Sequence, residues 1–180
     1  INELPAPHSS ERVDNGVVEL RRRAKDSENQ DIEVFAEQVL AHPIGEKFLA
    51  AIFGNSPFLT HCLLRDLSFA KTLLERKPED LYSEICEIIP SWQSLEQSDL
   101  MAKLRDARLN VALLVAAADI GGLWPLSKVT QALSAFAVVA IKTTVNHLLI
   151  RAAGAGELAL RDKSKPALDC GFTVFGMGKV

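Results

Sequence analysis

The chain has 180 residues, 48% hydrophobic and 24% charged, which is enough apolar mass for one packed domain and too much for a disordered chain. Lys and Arg number 20 against 23 Asp and Glu, and the net charge of -3 leaves no global basic excess for nucleic acid or an anionic membrane. Aromatic residues are only 6%, so the apolar mass is mostly Leu, Ala, Val and Ile, which favours helices over a sandwich or barrel.

Residues 1–10 carry Pro5 and Pro7 and read as a loose lead-in. A helix is predicted over 11–23, weakened by Asn15-Gly16. Its Arg21-Arg22-Arg23 triplet, followed by Asp26 and Glu28, reads as a solvated helix end rather than an anion site. A short amphipathic helix follows over 31–41, with Ile32, Phe35, Val39 and Leu40 on one side and Pro43 ending it. Another spans 44–53 and stops at Gly54-Asn55. Ser56-Pro57 is a strong start, because serine accepts from orphan amides and proline fits the first helical position. Two more short helices are expected over 67–77 and 78–89, the second opened by Pro78 and closed by Pro90.

Ser94 and Gln97 stand at capping-box spacing, and the longest helix is predicted behind them, near 95–118. Its apolar stripe is Leu100, Leu104, Ala107, Val111, Leu114 and Ala118. Gly121-Gly122 ends it, since glycine takes the left-handed cap without penalty. Ser127 starts a second long helix, near 128–153, with an expected core stripe of Val129, Leu133, Ala137, Ile141, Val145 and Leu148. The short Gly-Gly-Leu-Trp-Pro turn between them predicts an antiparallel pair. Residues 154–168 turn to Gly, Pro and alternating charge, a linker. Residues 170–175 then read as a strand whose partners are expected past Val180, because a lone strand is not stable. Ile1 in place of Met, and an apolar Gly-containing run up to Val180, give both ends the look of a fragment.

Cys62, Cys86 and Cys170 are odd in number and far apart, with no C-x-x-C pair, so neither a zinc site nor a disulfide framework is expected. Cys62 and Cys86 read as buried thiols. No signal peptide is visible, and no run reaches about 18 consecutive apolar residues, so no membrane span is expected and a reducing cytoplasm fits. His8, His42, His61 and His147 lack partners at metal-ligand spacing and read as core or surface residues.

Gly176-Met177-Gly178-Lys179 is the one local motif with a mechanism. Glycine lets backbone approach a phosphate, and Lys179 adds a point charge. It is neither a complete Walker A, since no Gly stands at that motif's first position, nor a Rossmann fingerprint, so a structural turn remains open beside a phosphate cradle. Arg105 and Arg108 lie three apart on one helix face, placed for an anion or for ion pairs with Asp106, Asp119 or Glu side chains. Asp119 reads as a paired or capping carboxylate, and Trp92 and Trp124 as gap-fillers between helices.

In order, Ser56-Pro57-Phe58-Leu59, Leu63-Leu64-Arg65-Asp66, Leu104-Arg105-x-x-Arg108, Ala118-Asp119-Ile120-Gly121-Gly122, Val129-Thr130-x-x-Leu133-Ser134 and the run into Gly176–Lys179 resemble the bacterial glutamine synthetase adenylyltransferase/deadenylylase family. The likeness covers about 54–180 and is nearest the first, deadenylylating half of that two-part enzyme. It implies a mainly α fold: a helical N-terminal region over 1–165, then, at 166–180, the first strand of a truncated polymerase-β-type nucleotidyltransferase domain. It implies Gly176, Gly178 and Lys179 as nucleotide-binding residues, with Val180 where Leu is usual. It also implies Mg²⁺ held by a Ser-Asp-x-Asp pair past Val180, so no catalytic or metal-binding residue falls in this chain, and the chain alone is expected to be inactive. The implied partners are glutamine synthetase, a PII signalling protein, ATP/ADP and phosphate, with no nucleic acid and no membrane. Two alternatives stand beside it: a non-catalytic helical interaction module, and an unrelated NAD- or ATP-binding enzyme cut at its first Gly-rich turn.

Overall fold

Capping side chains start five of the eight α-helices among the described residues. A computed structural model describes residues 4–175. Ser9 accepts from the Arg12 amide (3.3 Å) to start α1 (Ser10–Asp26), and Asn29 accepts from Asp31 (3.0 Å) to start α2 (Gln30–Ala41). His42 Nδ1 takes the Ile44 and Gly45 amides at 3.3 and 3.4 Å, opening α3 (Pro43–Asn55), a role its sequence context did not reveal. Ser56 caps α4 (Pro57–Arg65) through Leu59 N at 3.2 Å, as its Ser-Pro signature implies. Asp66 caps α5 (Leu67–Glu75), and Pro78 opens α6 (Pro78–Ile88), which tightens into a 3-10 helix (Ile89–Ser94). The expected Ser94–Gln97 capping box does not form: α7 (Gln97–Ile120) begins one residue after Glu96, without a side-chain cap, and the Ser94 hydroxyl donates to Ser91 O instead. α7 ends as expected, with Gly122 left-handed at φ 66°. After residues 121–125 comes α8 (Leu126–Gly154).

α1, α2 and α3 pack on one another, α4 joins α3 to α7, and α7 also meets α6 and α8. Asn15-Gly16 does not break α1. Gly16 is buried against the Phe53 ring of α3, where a Cβ would come within 2.4 Å of the ring carbons, so the glycine is a close-approach site rather than a weak point. The α7 stripe is buried as expected at Leu100, Ala107, Val111, Leu114 and Ala118, and Leu113, Val115 and Ala117 are buried beside it. Each such leucine contributes about 1.5–3 kcal/mol of transfer free energy. The Arg triplet is a paired helix surface: Arg21 meets Glu37, Arg22 meets Glu19 and Asp26, and Arg23 meets Glu19.

Two expectations are corrected, and one, that no segment spans a membrane, is not overturned. First, α8 buries a different face. Val129, Ala132, Phe136, Thr143 and His147 face inward, while Leu133, Ile141 and Leu148 of the expected stripe are exposed. α8 is apolar nearly all round, so its periodicity does not select a side. By length and mean hydropathy (1.6 over its most apolar 18 residues) α8 is able to cross a membrane, although it contains no unbroken apolar run of that length. Here it packs by one face on α7 and the 3-10 helix. Second, residues 170–175 are bend and irregular coil, and there is no strand among the described residues. No neighbouring strand offers backbone partners, so β-propensity at Phe172, Thr173, Val174 and Phe175 has nothing to act on.

Candidate functional site

Gly176, Gly178 and Lys179 lie outside the described residues. The described candidates are on α7. Arg105 and Arg108 are exposed one turn apart, and neither pairs with a carboxylate among the described residues. Asp106, between them in sequence, is taken by Arg65 of α4. Asp119 is exposed, and no ion pair to it occurs among the described residues. The ion-pair arrangement expected for these arginines therefore does not form, and two guanidinium groups remain available to an outside anion. Their field reaches inward as well. Burial pushes the Cys62 thiol up, and Arg108 and Arg65 pull it back in part. Cys62 is an inert buried thiol, as its sequence context implied.

A second polar group joins α6 to α8. Trp124, buried after the Gly-Gly turn, donates from Nε1 to Glu79 at 2.6 Å. Lys128 reaches the same carboxylate oxygen, and its ammonium lies 4.7 Å from the Trp124 ring centre. Lys128 is the main reason the Glu79 carboxyl sits below its ordinary range. Tyr82 meets Trp124 edge-on at 6.0 Å and donates to Ala132 O at 2.6 Å. Burial, followed by the Cys86 thiol, pushes the Tyr82 phenol well up. These groups are fully engaged with one another and hold helices together. Nothing in the local sequence announces the link, because Glu79 and Trp124 are 45 residues apart.

The third group is buried in the seam between α8 and the 3-10 helix. His147, 2% exposed, contacts Gln93 O through Nδ1 at 3.0 Å. A carbonyl only accepts, so Nδ1 carries the proton and Nε2 is left as an acceptor. That Nε2, and Oδ1 of Asn146, whose amide donates to Gln93 Oε1 at 3.1 Å, have no hydrogen-bond partner among the described residues. A concavity of about 550 Å³ lies elsewhere, among Phe35, Val39, Phe48, Leu73 and Leu123, with His42, Glu75 and Arg76 also in its lining. It is an apolar cleft without convergent catalytic groups. Among the described residues no cluster of three or more His, Cys, Asp or Glu is placed to hold a metal. The part of the chain on view is thus a helical platform with one unpaired arginine couple, and it leads by an irregular segment to the Gly-x-Gly-Lys motif.

Comparison with known proteins supplies the rest. The family model described as glutamate-ammonia ligase adenylyltransferase matches residues 47–180, a span that includes Arg105, Arg108 and the Gly176–Lys179 motif. The chain is 35% identical over 137 residues (73% of this chain) to the bifunctional glutamine synthetase adenylyltransferase/adenylyl-removing enzyme of Bradyrhizobium sp. (strain ORS 278), of which it spans 14%. It is 34% identical over 140 residues (74% of this chain, 14% of the relative) to the protein of that description in Rhizobium meliloti (strain 1021). For the one in Brucella suis biovar 1 (strain 1330), identity is 28% over 176 residues, 96% of this chain and 18% of the relative. No solved structure matches. With three quarters of its length under that family model, and with capped helices and a glycine motif in the matching order, the chain belongs to the glutamate-ammonia ligase adenylyltransferase family.

Proposed function

We propose that this chain is part of an enzyme that controls glutamine synthetase by adding AMP from ATP to a tyrosine and removing it by phosphorolysis, with release of ADP. The observation that carries the reading is the family match over 47–180, together with relatives whose names state both activities. In this reading residues 1–165 are a helical region and 166–180 open a nucleotidyltransferase domain, with Gly176, Gly178 and Lys179 on the nucleotide. Arg105 and Arg108, which have no carboxylate partner among the described residues, offer an anion contact to the nucleotide or to an acidic surface of a partner. The partners are glutamine synthetase and a PII signalling protein, and the setting is cytoplasmic, away from membrane and nucleic acid.

Mg²⁺ belongs to this chemistry, where it offsets phosphate charge in transfer. The described residues do not fit it, having no cluster placed to hold a metal, so no step is assigned to it in this part of the chain. In the same reading the 180-residue chain by itself is inert as an enzyme. The test is ADP release from adenylylated glutamine synthetase and phosphate, by this chain and by the protein extended to the length of its relatives. We expect none from the first and turnover from the second. Turnover by the short chain overturns its inertness, and a full-length protein that neither adds nor removes AMP overturns the enzymatic reading. One observation favours a second reading, a helical interaction module without catalysis: α8 leaves a broad apolar face uncovered.

A further inference from the structure

We propose that the outer face of α8 is the seat of one more helix, supplied by polypeptide that lies beyond this segment in the full-length protein. Opposite the buried Val129, Phe136 and His147, α8 carries Ser134, Val138, Ile141, Val145, Leu148 and Ala152. Their spacing alternates four and three residues, the heptad rhythm by which two helices pack at a shallow angle. It is a second stripe on a helix that has already buried a first one. Val138 is 63% exposed, Ile141 42% and Leu148 51%, and the stripe tapers to small residues at both ends. A solvated helix face is polar, so this one is built to be covered.

Charge selects the occupant. α8 contains no Asp or Glu. Its Lys128 is engaged with Glu79, and its Arg151 donates to Gln97. Lys142 is exposed at the edge of the stripe, and no salt bridge to it occurs among the described residues. A second copy packed antiparallel on this face brings Lys142 to Lys142, and a parallel copy offers it no carboxylate, so either homodimer leaves the lysine without a partner. A membrane span requires release of Thr143 and His147 from their buried seam into lipid. Polypeptide of the same protein has neither obstacle. The chain covers only 14–18% of its relatives, so proteins of this family contain ample further chain. The covering helix is apolar at its own heptad positions and presents an Asp or Glu to Lys142. This inference rests on family membership and not on the reaction proposed above.

The test is thiol labelling in the 180-residue chain and in the protein read from its gene to full length. Val138→Cys and Leu148→Cys report the stripe, Val18→Cys on α1 is the control, and Cys86 and Cys170 are changed to Ser throughout. Helical circular dichroism and continued protection of Cys62 check the fold. We expect both stripe positions to label readily in the short chain and at least tenfold more slowly in the full-length protein, with Val18→Cys labelling alike in both. Equal rates at the stripe overturn the proposal, as does a reading frame that stops at residue 180. Protection in the short chain that grows with protein concentration assigns the face to a second copy and overturns it too. Equal slowing at all three positions overturns the assignment to α8. A full-length protein without nucleotidyl transfer leaves the labelling result standing, so the two readings fail separately.

Discussion

α7 and α8 are the two long helices, joined by one short turn and similarly rich in Ala, Leu and Val, yet their surroundings differ. α7 is met by α4, α6, α8 and the 3-10 helix, and buries eight of its 24 residues, on several sides. α8 has 29 residues and buries five, on a side that meets α7, the 3-10 helix and Tyr82 of α6. A helix that is apolar all round needs neighbours all round. α7 meets them on its apolar sides and turns Arg105, Asp106 and Arg108 to solvent. α8 leaves the apolar side chains of Val138, Ile141 and Leu148 exposed. The difference shows that hydrophobicity along a helix reports how much surface must be covered, and that the neighbours decide which surface it is.

The sharpest way to break this comparison is a matched pair of truncations in the 180-residue chain. Leu114→Ala on α7, where the side chain is fully buried, is expected to cost about 3 kcal/mol, with a range of roughly 2–5. Ile141→Ala on α8 is expected to cost less than about 0.5 kcal/mol. Urea unfolding measures both, and a cost above about 1 kcal/mol at Ile141 means its face is covered in the short chain and the contrast is false.

A second substitution carries the same contrast to the first half of the fold, where α1 and α3 approach closely. Gly16→Ala places a methyl into the Phe53 ring and is expected to destabilise by about 1–3 kcal/mol. Phe53→Leu in the same chain should reduce the cost of that methyl. If the double-mutant cycle shows no coupling, the close approach is not the reason for glycine.

The smallest effect is electrostatic and belongs to the solvated face of α1. Hydrogen bonds from Arg22, then Arg23, hold the Glu19 carboxyl at about 2, against an ordinary 4.5. Its folded value is the depressed one, so its contribution to stability is present above pH 4.5 and is lost as the pH falls toward 2. Glu19→Gln should flatten the acid limb of the stability profile in that window, and a carboxyl titration followed by NMR should place Glu19 below the other glutamates. A Glu19 midpoint near 4.5 contradicts the bridges drawn to it.

Much of the helix series was legible because its signals are local. Ser56-Pro57, Pro78 and Gly121-Gly122 act on their own amides and carbonyls, and the structure uses them as their chemistry requires. The Ser94–Gln97 spacing was a false signal: the 3-10 helix extends through Ser94, so the serine is not at a helix start. The α8 stripe was misplaced because two faces satisfy the same periodicity. Of the candidate site, Arg105 and Arg108 were visible as a pair on one face. That they lack a carboxylate among the described residues depends on what neighbouring helices bring alongside, and Asp106 of the same helix pairs with Arg65 of α4. The Glu79–Trp124–Lys128 link, and the seam of Gln93, Asn146 and His147, join residues about 50 positions apart and left no local trace.

The sequence by itself determined a mainly helical chain, the ends of most helices, the core stripe of α7 and the motif order that leads to its family, because caps, periodicity and motif spacing act over a few residues. Only the tertiary structure decided which face of α8 is buried, why Gly16 must be glycine, which arginines are left unpaired, and that residues 170–175 form no strand among the described residues. Each of these depends on what a distant segment places alongside, and burial, close approach, ion pairing and strand pairing exist only once that neighbour is there.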